Sequence, residues 1–208
     1  IIADREARDT LVITRERSRQ VFEFAFELAR SRASAGGKSK VTLVDKANVF
    51  SSMAFFRKVF DEVAAAHTDI ETERLYVDAC ALDLVRRPWE FDVLVTENMF
   101  GDILSDLAAG LVGGMGFAPS ADIGDSRAVF QPAHGSAPDI AGKGIANPTA
   151  AILSGAMMLD WLGRKHQLSS CLDAARLIEE AVEQALQGGA EAFASTVGMT
   201  QRVMDAIG

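Results

Sequence analysis

This sequence predicts an α/β fold with parallel neighbouring strands. Three observations lead there: helical and strand-like segments alternate, the strand-like runs are short and β-branched, and glycine or proline punctuates them. A first helix is expected from Thr14 to Arg32, where Val21, Phe22, Phe24, Ala25, Phe26, Leu28 and Ala29 recur at helical spacing and Thr14 can cap the start. Gly36-Gly37-Lys38 breaks it, and Lys40-Val41-Thr42-Leu43-Val44-Asp45 reads as a buried strand. Ser52 to His67 is the second helix, with Met53, Phe55, Phe56, Val59, Phe60, Val63 and Ala64 on one face, and Arg74 to Val77 is the strand after it. Residues 79–87 read as a helix stopped by Pro88, and Phe91 to Thr96 as the third strand.

A helix from Phe100 to Leu111 follows. Gly110, Gly113, Gly114 and Gly116 then mark a flexible crossing, which sets the expected domains at 1–112 and 113–208. In the second domain Ala128-Val129-Phe130 is a short strand opening a long loop rich in glycine and proline. Pro148 suits the first turn of a helix reaching about Leu162. Residues 171–187 and 197–207 are two further helical patterns, with Gly188-Gly189 between them, and there is no internal repeat.

The 208 residues suffice for one substantial domain or pieces of two, and apolar and charged shares of 49% and 24% are those of a folded protein. A net charge of −8 disfavours nucleic acid and anionic membrane surfaces as partners. The longest nearly apolar run, Leu107 to Pro119, falls short of the roughly 18 residues a spanning helix needs, so no membrane span is expected. Cys80 and Cys171 lie outside any C-x-x-C arrangement, which indicates neither a zinc site nor a disulfide framework and suits a reducing cytoplasm. Ile1-Ile2-Ala3-Asp4-Arg5-Glu6 has no secretory pattern and no methionine, so a natural start is not expected there.

Three stretches could carry chemistry. In Glu97-Asn98-Met99-Phe100-Gly101-Asp102-Ile103-Leu104-Ser105-Asp106, a helix would place Asp102 and Asp106 one turn apart on one face, able to share Mg²⁺ or Mn²⁺ through hard oxygen ligands. By spacing alone, two solvated acids near a helix start are the commoner outcome. The glycine-rich run from His134 to Pro148 could bring backbone amides and polar side chains to a ligand, or be an ordinary surface loop, and it is not a G-x-G-x-x-G fingerprint. In Val44-Asp45-Lys46-Ala47-Asn48 a strand delivers a lysine at its carboxyl end, where ligands of open α/β sheets gather, and Asp78 ends the next strand similarly. A lone lysine there is more often solvated.

Taken together and in order, these stretches resemble the isocitrate and isopropylmalate dehydrogenase family, from about residue 14 to residue 163: Val44 to Asn48, Asn98 to Asp106, and His134 through Asn147 to Pro148-Thr149-Ala150. The resemblance implies the isopropylmalate dehydrogenase-like two-domain α/β fold, with the N-terminal half absent from this chain. Residues 1–112 would belong to the dimer-forming, substrate- and metal-side domain, and 113–208 to the cofactor side. It implies β-decarboxylating oxidation of a 3-substituted malate, 3-isopropylmalate first. Isocitrate, homoisocitrate, D-malate or tartrate oxidation and a non-catalytic subunit are the alternatives, and an NAD- or metal-binding sensor module is a further one.

Residue by residue, the resemblance makes Lys46 the group that assists proton removal from the substrate hydroxyl and Asp78 a catalytic and metal-site residue given by the neighbouring subunit of a homodimer. Asp102 and Asp106 would be the other ligands of Mg²⁺ or Mn²⁺. His134, Gly135, Ser136, Ala137, Asp139, Ile140 and Asn147 would bind the adenosine end of the cofactor. Asp139 points to NAD, because a carboxylate accepts hydrogen bonds from both ribose hydroxyls and repels the 2′-phosphate of NADP. Gln131 stands where many relatives have glutamate, and Tyr76, the only tyrosine, does not match the family's catalytic tyrosine.

Overall fold

α1 (Arg15–Ala33) starts where the sequence offers a cap: the Thr14 hydroxyl accepts from the Arg17 amide at 3.4 Å, and Ser18 Oγ donates to the Thr14 carbonyl at 2.7 Å. The computed structural model describes residues 5–187 and 195–208. Ile1 to Asp4 and residues 188–194, with the Gly188-Gly189 expected between two helices, lie outside the described residues. α1 buries Phe22, Ala25, Phe26 and Ala29, against which α2 (Ser51–Ala64) packs Phe56, Val59, Phe60 and Val63. Rings interlock across the two helices, with Phe22 4.5 Å from Phe56 and 5.2 Å edge-on to Phe60.

Beneath the helices lies a three-stranded parallel sheet, order β2-β1-β3, of β1 (Lys40–Asp45), β2 (Glu71–Tyr76) and β3 (Val93–Val95). β1 is central and buried from Val41 to Asp45, in keeping with its reading as a buried strand. It sends Val41 and Leu43 to the α1–α2 side and Val44 to a second cluster with Cys80 and Leu84 of α3 (Val77–Arg86) and Leu104 of α4 (Asn98–Leu111). Burying each such side chain contributes about 1.5–3 kcal/mol.

β2 runs from Glu71 to Tyr76, earlier than the Arg74–Val77 expected, because its charged residues suit an edge strand. Lys40 Nζ reaches Glu73 at 2.9 Å and Glu71 at 3.5 Å across the pairing. Val77 instead opens α3.

The chain divides into two compact units between Leu107 and Ala108, inside α4. In the second unit β4 (Pro119–Ile123) pairs antiparallel with β5 (Ala128–Pro132). β4 was not foreseen: its five residues include a proline at the first position and polar side chains, a pattern that reads as loop. α5 (Thr149–His166) passes Leu162 and ends on Arg164-Lys165-His166, which suit the negative end of a helix. α6 (Ser169–Leu186) and α7 (Thr196–Ile207) share a core of Ala181, Val182, Ala185, Met199 and Val203. Gly163 lets α6 approach closely, since a Cβ there would lie 2.6 Å from Leu172 Cδ2. Among the described residues no helix is long and apolar enough to cross a membrane.

Candidate active site

At the carboxyl end of β1, Asp45 is fully buried. Its carboxylate accepts from Arg57 Nε at 2.7 Å, Arg57 Nη2 at 2.8 Å and the Ala47 amide at 2.9 Å, so the buried charge is matched in charge and hydrogen bonds. The Asp45 hydrogen bond, opposed by desolvation and aided by Coulomb attraction, raises the Arg57 pKa. Lys46, next along the turn, is ion-paired through Nζ with Asp78 Oδ1. Asp78 stands in the first turn of α3, where the helix dipole favours an anion, and the Lys46 hydrogen bond is the largest reason its carboxyl titrates below the ordinary aspartate range.

The parallel register sets Tyr76 beside Asp45. Lys46 Nζ lies 5.7 Å and the Arg57 guanidinium 5.2 Å from the centre of the Tyr76 ring, both within cation–π range. Arg57, Asp45 and Tyr76 thus join the neighbourhood of Lys46 although sequence reasoning gave them no role. The legible signal was Asp45 itself: a carboxylate closing an apolar strand must be buried with a cation.

The second element is the start of α4. The Glu97 carboxylate accepts from the amides of Met99 at 3.0 Å and Phe100 at 2.7 Å, satisfying two donors that the helix leaves free. Asp102 and Asp106 follow one turn apart, both exposed. Among the described residues neither carboxylate meets a donor or a cation, so the oxygens of both face solvent. The structure does not bring Asp78 to them in a metal-sized cluster, as no group of three acid, histidine or cysteine side chains that could hold a metal occurs among the described residues.

The third element lies in the second unit. His134, Gly135, Ser136, Ala137 and Asp139 are exposed, with Ile140 and Asn147 half-buried. Ala137 takes the left-handed conformation at φ 42°, costly for a residue with a Cβ, and a single helical turn, Pro138–Ile140, follows. The loop's far end is fastened: the Thr196 amide donates to the Gly144 carbonyl at 2.8 Å and Thr196 Oγ1 to the Ala146 carbonyl at 2.5 Å. Asn147 Oδ1 accepts from the Thr149 amide at 2.9 Å, and Gly116 passes so near that a Cβ would lie 3.0 Å from Asn147 Cβ. Asp139 has no side-chain partner among the described residues, which leaves its carboxylate able to accept from a ribose.

Known proteins share this architecture. The sequence matches the family model for isocitrate/isopropylmalate dehydrogenase over residues 1–206. It is 50% identical over 181 residues to a 3-isopropylmalate/3-methylmalate dehydrogenase of Methanocaldococcus jannaschii, covering 86% of this chain and 52% of that one. It is 46% identical over 202 residues to an isocitrate/homoisocitrate dehydrogenase of Thermus thermophilus, covering 94% and 57%. The crystal structure of an isocitrate dehydrogenase from Methylococcus capsulatus superposes with a TM-score of 0.88 at 43% identity, over 100% of this chain and 61% of that one. The chain therefore spans about half the length of the curated relatives it matches. With the fold and half of the aligned residues in common and the family model matched over residues 1–206, the chain belongs to the isocitrate/isopropylmalate dehydrogenase family.

Proposed function

We propose that the complete gene product oxidises and decarboxylates a 3-substituted malate, 3-isopropylmalate first, with NAD and Mg²⁺ or Mn²⁺, as a cytoplasmic homodimer. The observation that carries this reading is the Lys46–Asp78 pair at the carboxyl end of the sheet, supplied together with two unpartnered carboxylates on α4. Lys46 takes the proton of the C2 hydroxyl. Asp78 holds the lysine in place and, given to a neighbouring subunit, joins Asp102 and Asp106 as a metal ligand. The cation supplies Lewis acidity toward the substrate oxygens. His134, Gly135, Ser136, Ala137, Ile140 and Asn147 receive the adenosine end, and Asp139 accepts from the ribose hydroxyls, which selects NAD over NADP. In this reading residues 1–112 form the dimer and substrate side and 113–208 the cofactor side.

Support for the substrate comes from relatives named 3-isopropylmalate dehydrogenase, such as that of Aquifex aeolicus at 50% identity over 186 residues. The Thermus thermophilus isocitrate/homoisocitrate dehydrogenase favours a second reading, a tricarboxylate as substrate. NADH formation by the complete gene product with Mn²⁺, across 3-isopropylmalate, isocitrate, homoisocitrate, D-malate and tartrate, decides between them. Turnover of 3-isopropylmalate alone supports the first, turnover of isocitrate or homoisocitrate the second, and silence on all five with both NAD and NADP favours a non-catalytic subunit.

A further inference from the structure

Two buried carboxylates brace the parallel sheet, one at each end. At the amino end Asp92, with its side chain 2% exposed, accepts from Arg32 at 2.6 Å and from the Ser39 amide at 3.1 Å. At the carboxyl end Asp45 accepts from Arg57 and the Ala47 amide. The chemistry is the same, but the surroundings differ: only the carboxyl-end pair adjoins Lys46 and shares the Tyr76 ring with it.

The backbone between the partners is short. β1 ends at Asp45, the amides of Val49 and Phe50 both donate to the Lys46 carbonyl at 3.0 Å, and α2 begins at Ser51. Arg57 then returns from α2 to Asp45, so the chain from Asp45 to Arg57 is closed into a ring by two parallel charged hydrogen bonds. Lys46 is the first residue inside that ring. Its direction is thereby set at three points: the turn by the Ala47 amide on Asp45, the head by Asp78, and the flank by Tyr76, whose other cation is Arg57.

We propose that Arg57 is a positioning residue for Lys46, acting through Asp45 and the Tyr76 ring. It touches no reacting atom. The inference rests on the reading of Lys46 as the group that takes the hydroxyl proton. Reaction geometry is steep in distance, and a displacement near 1 Å can cost on the order of a hundredfold in rate.

The test uses four forms of the complete gene product: wild type, Arg57→Lys, the paired apolar exchange Asp45→Leu with Arg57→Met, and Arg32→Met as the amino-end control. Replacing both members of a buried ion pair by apolar groups of similar volume tends to preserve stability, so a purely structural pair leaves activity intact in the double exchange. Positioning predicts otherwise: Tm near wild type but kcat lowered about tenfold or more, with KM for acid and NAD within threefold. Arg57→Lys, which keeps the charge and loses the fork, lowers kcat at least fivefold at similar KM, and it keeps the question open to measurement if the double exchange does not fold. Arg32→Met loses stability and keeps kcat in the folded protein.

A readout free of turnover accompanies this. With lysines reductively dimethylated by ¹³C-formaldehyde and a borohydride, the Lys46 signal, assigned by its loss in Lys46→Arg, lies upfield from the Tyr76 ring current and moves toward the other lysines in Arg57→Lys. Wild-type kcat in the folded Arg57→Lys and double forms, or a Lys46 signal that does not move, overturns the inference. If wild type is silent on every acid, the proposed activity falls, and the lysine signal alone judges the positioning of Lys46.

Discussion

Replacing Phe60 by alanine tests the packing that holds α2, and hence Arg57, over the sheet. Phe60 is fully buried, edge-on to Phe22 at 5.2 Å, stacked on Phe26 at 5.7 Å and covered by the Arg74 guanidinium at 5.0 Å. Truncating a buried phenylalanine costs about 3–5 kcal/mol as lost transfer energy plus cavity. The two ring pairs and the cation contact vanish as well, each worth roughly 0.5–1 kcal/mol. Phe22 keeps its other partner, Phe56, so the surrounding rings have little reason to collapse into the void. The expected loss therefore sits at the upper end, about 5 kcal/mol. In urea, with a slope of roughly 2 kcal/mol per molar, the midpoint falls by about 2.5 M. Phe24→Ala, on the facing helix α1 but 42% exposed, should cost only about 1 kcal/mol. A Phe60→Ala loss below about 2 kcal/mol at unchanged slope would refute the close-packed ring cluster.

Cys80 is buried and its thiol is pushed up to about 11, mainly by desolvation, so at pH 8 iodoacetamide should modify it at least about a hundredfold more slowly than a fully exposed thiol, with the partly exposed Cys171 labelled first by mass spectrometry. Gly163→Ala sets a Cβ against Leu172 and 3.1 Å from the Leu168 carbonyl oxygen, and overpacking of this kind costs about 1–3 kcal/mol, read as a lower Tm. The Asp78 carboxyl, held below the ordinary range by its hydrogen bond to Lys46, should titrate in carboxyl ¹³C NMR below the usual aspartate midpoint, and Lys46→Met should move it upward. The sign is that of a depressed acid: whatever stability the pair gives is present above the unfolded pKa and lost as pH falls through the folded one.

The sheet was readable because β1 is buried on both faces and so runs through Val41, Thr42, Leu43 and Val44, mostly β-branched and with Thr42 its one polar member, while the α1 and α2 rings repeat at helical spacing. β4 was not, since a strand that begins with proline and carries Ser120 and Asp122 owes its state to its pairing with β5. Lys46, Asp102, Asp106 and Asp139 were legible as charged residues in motifs at element ends. Arg57 was not, because nothing local distinguishes it from Lys58, its exposed neighbour. Only the turn after β1 decides which of the two faces Asp45, and turn geometry of that kind is tertiary information.

The carboxylates bracing the two ends of the sheet also bear on how the strands find their partners. Parallel strands slipped by one residue exchange their faces, and apolar residues such as those of β1 would tolerate the exchange, since both faces are oily. Asp45 and Asp92 would not. A slipped β1 or β3 would carry a charge into an apolar layer away from Arg57 or Arg32, at a cost of several kcal/mol. On this argument the two pins would act as proofreaders of strand pairing, penalising misregistered sheets during folding. A chain with both pairs exchanged for apolar residues, Asp45→Leu with Arg57→Met and Asp92→Leu with Arg32→Met, would be expected to refold to a mixture of registers, even where its correctly paired fraction is no less stable.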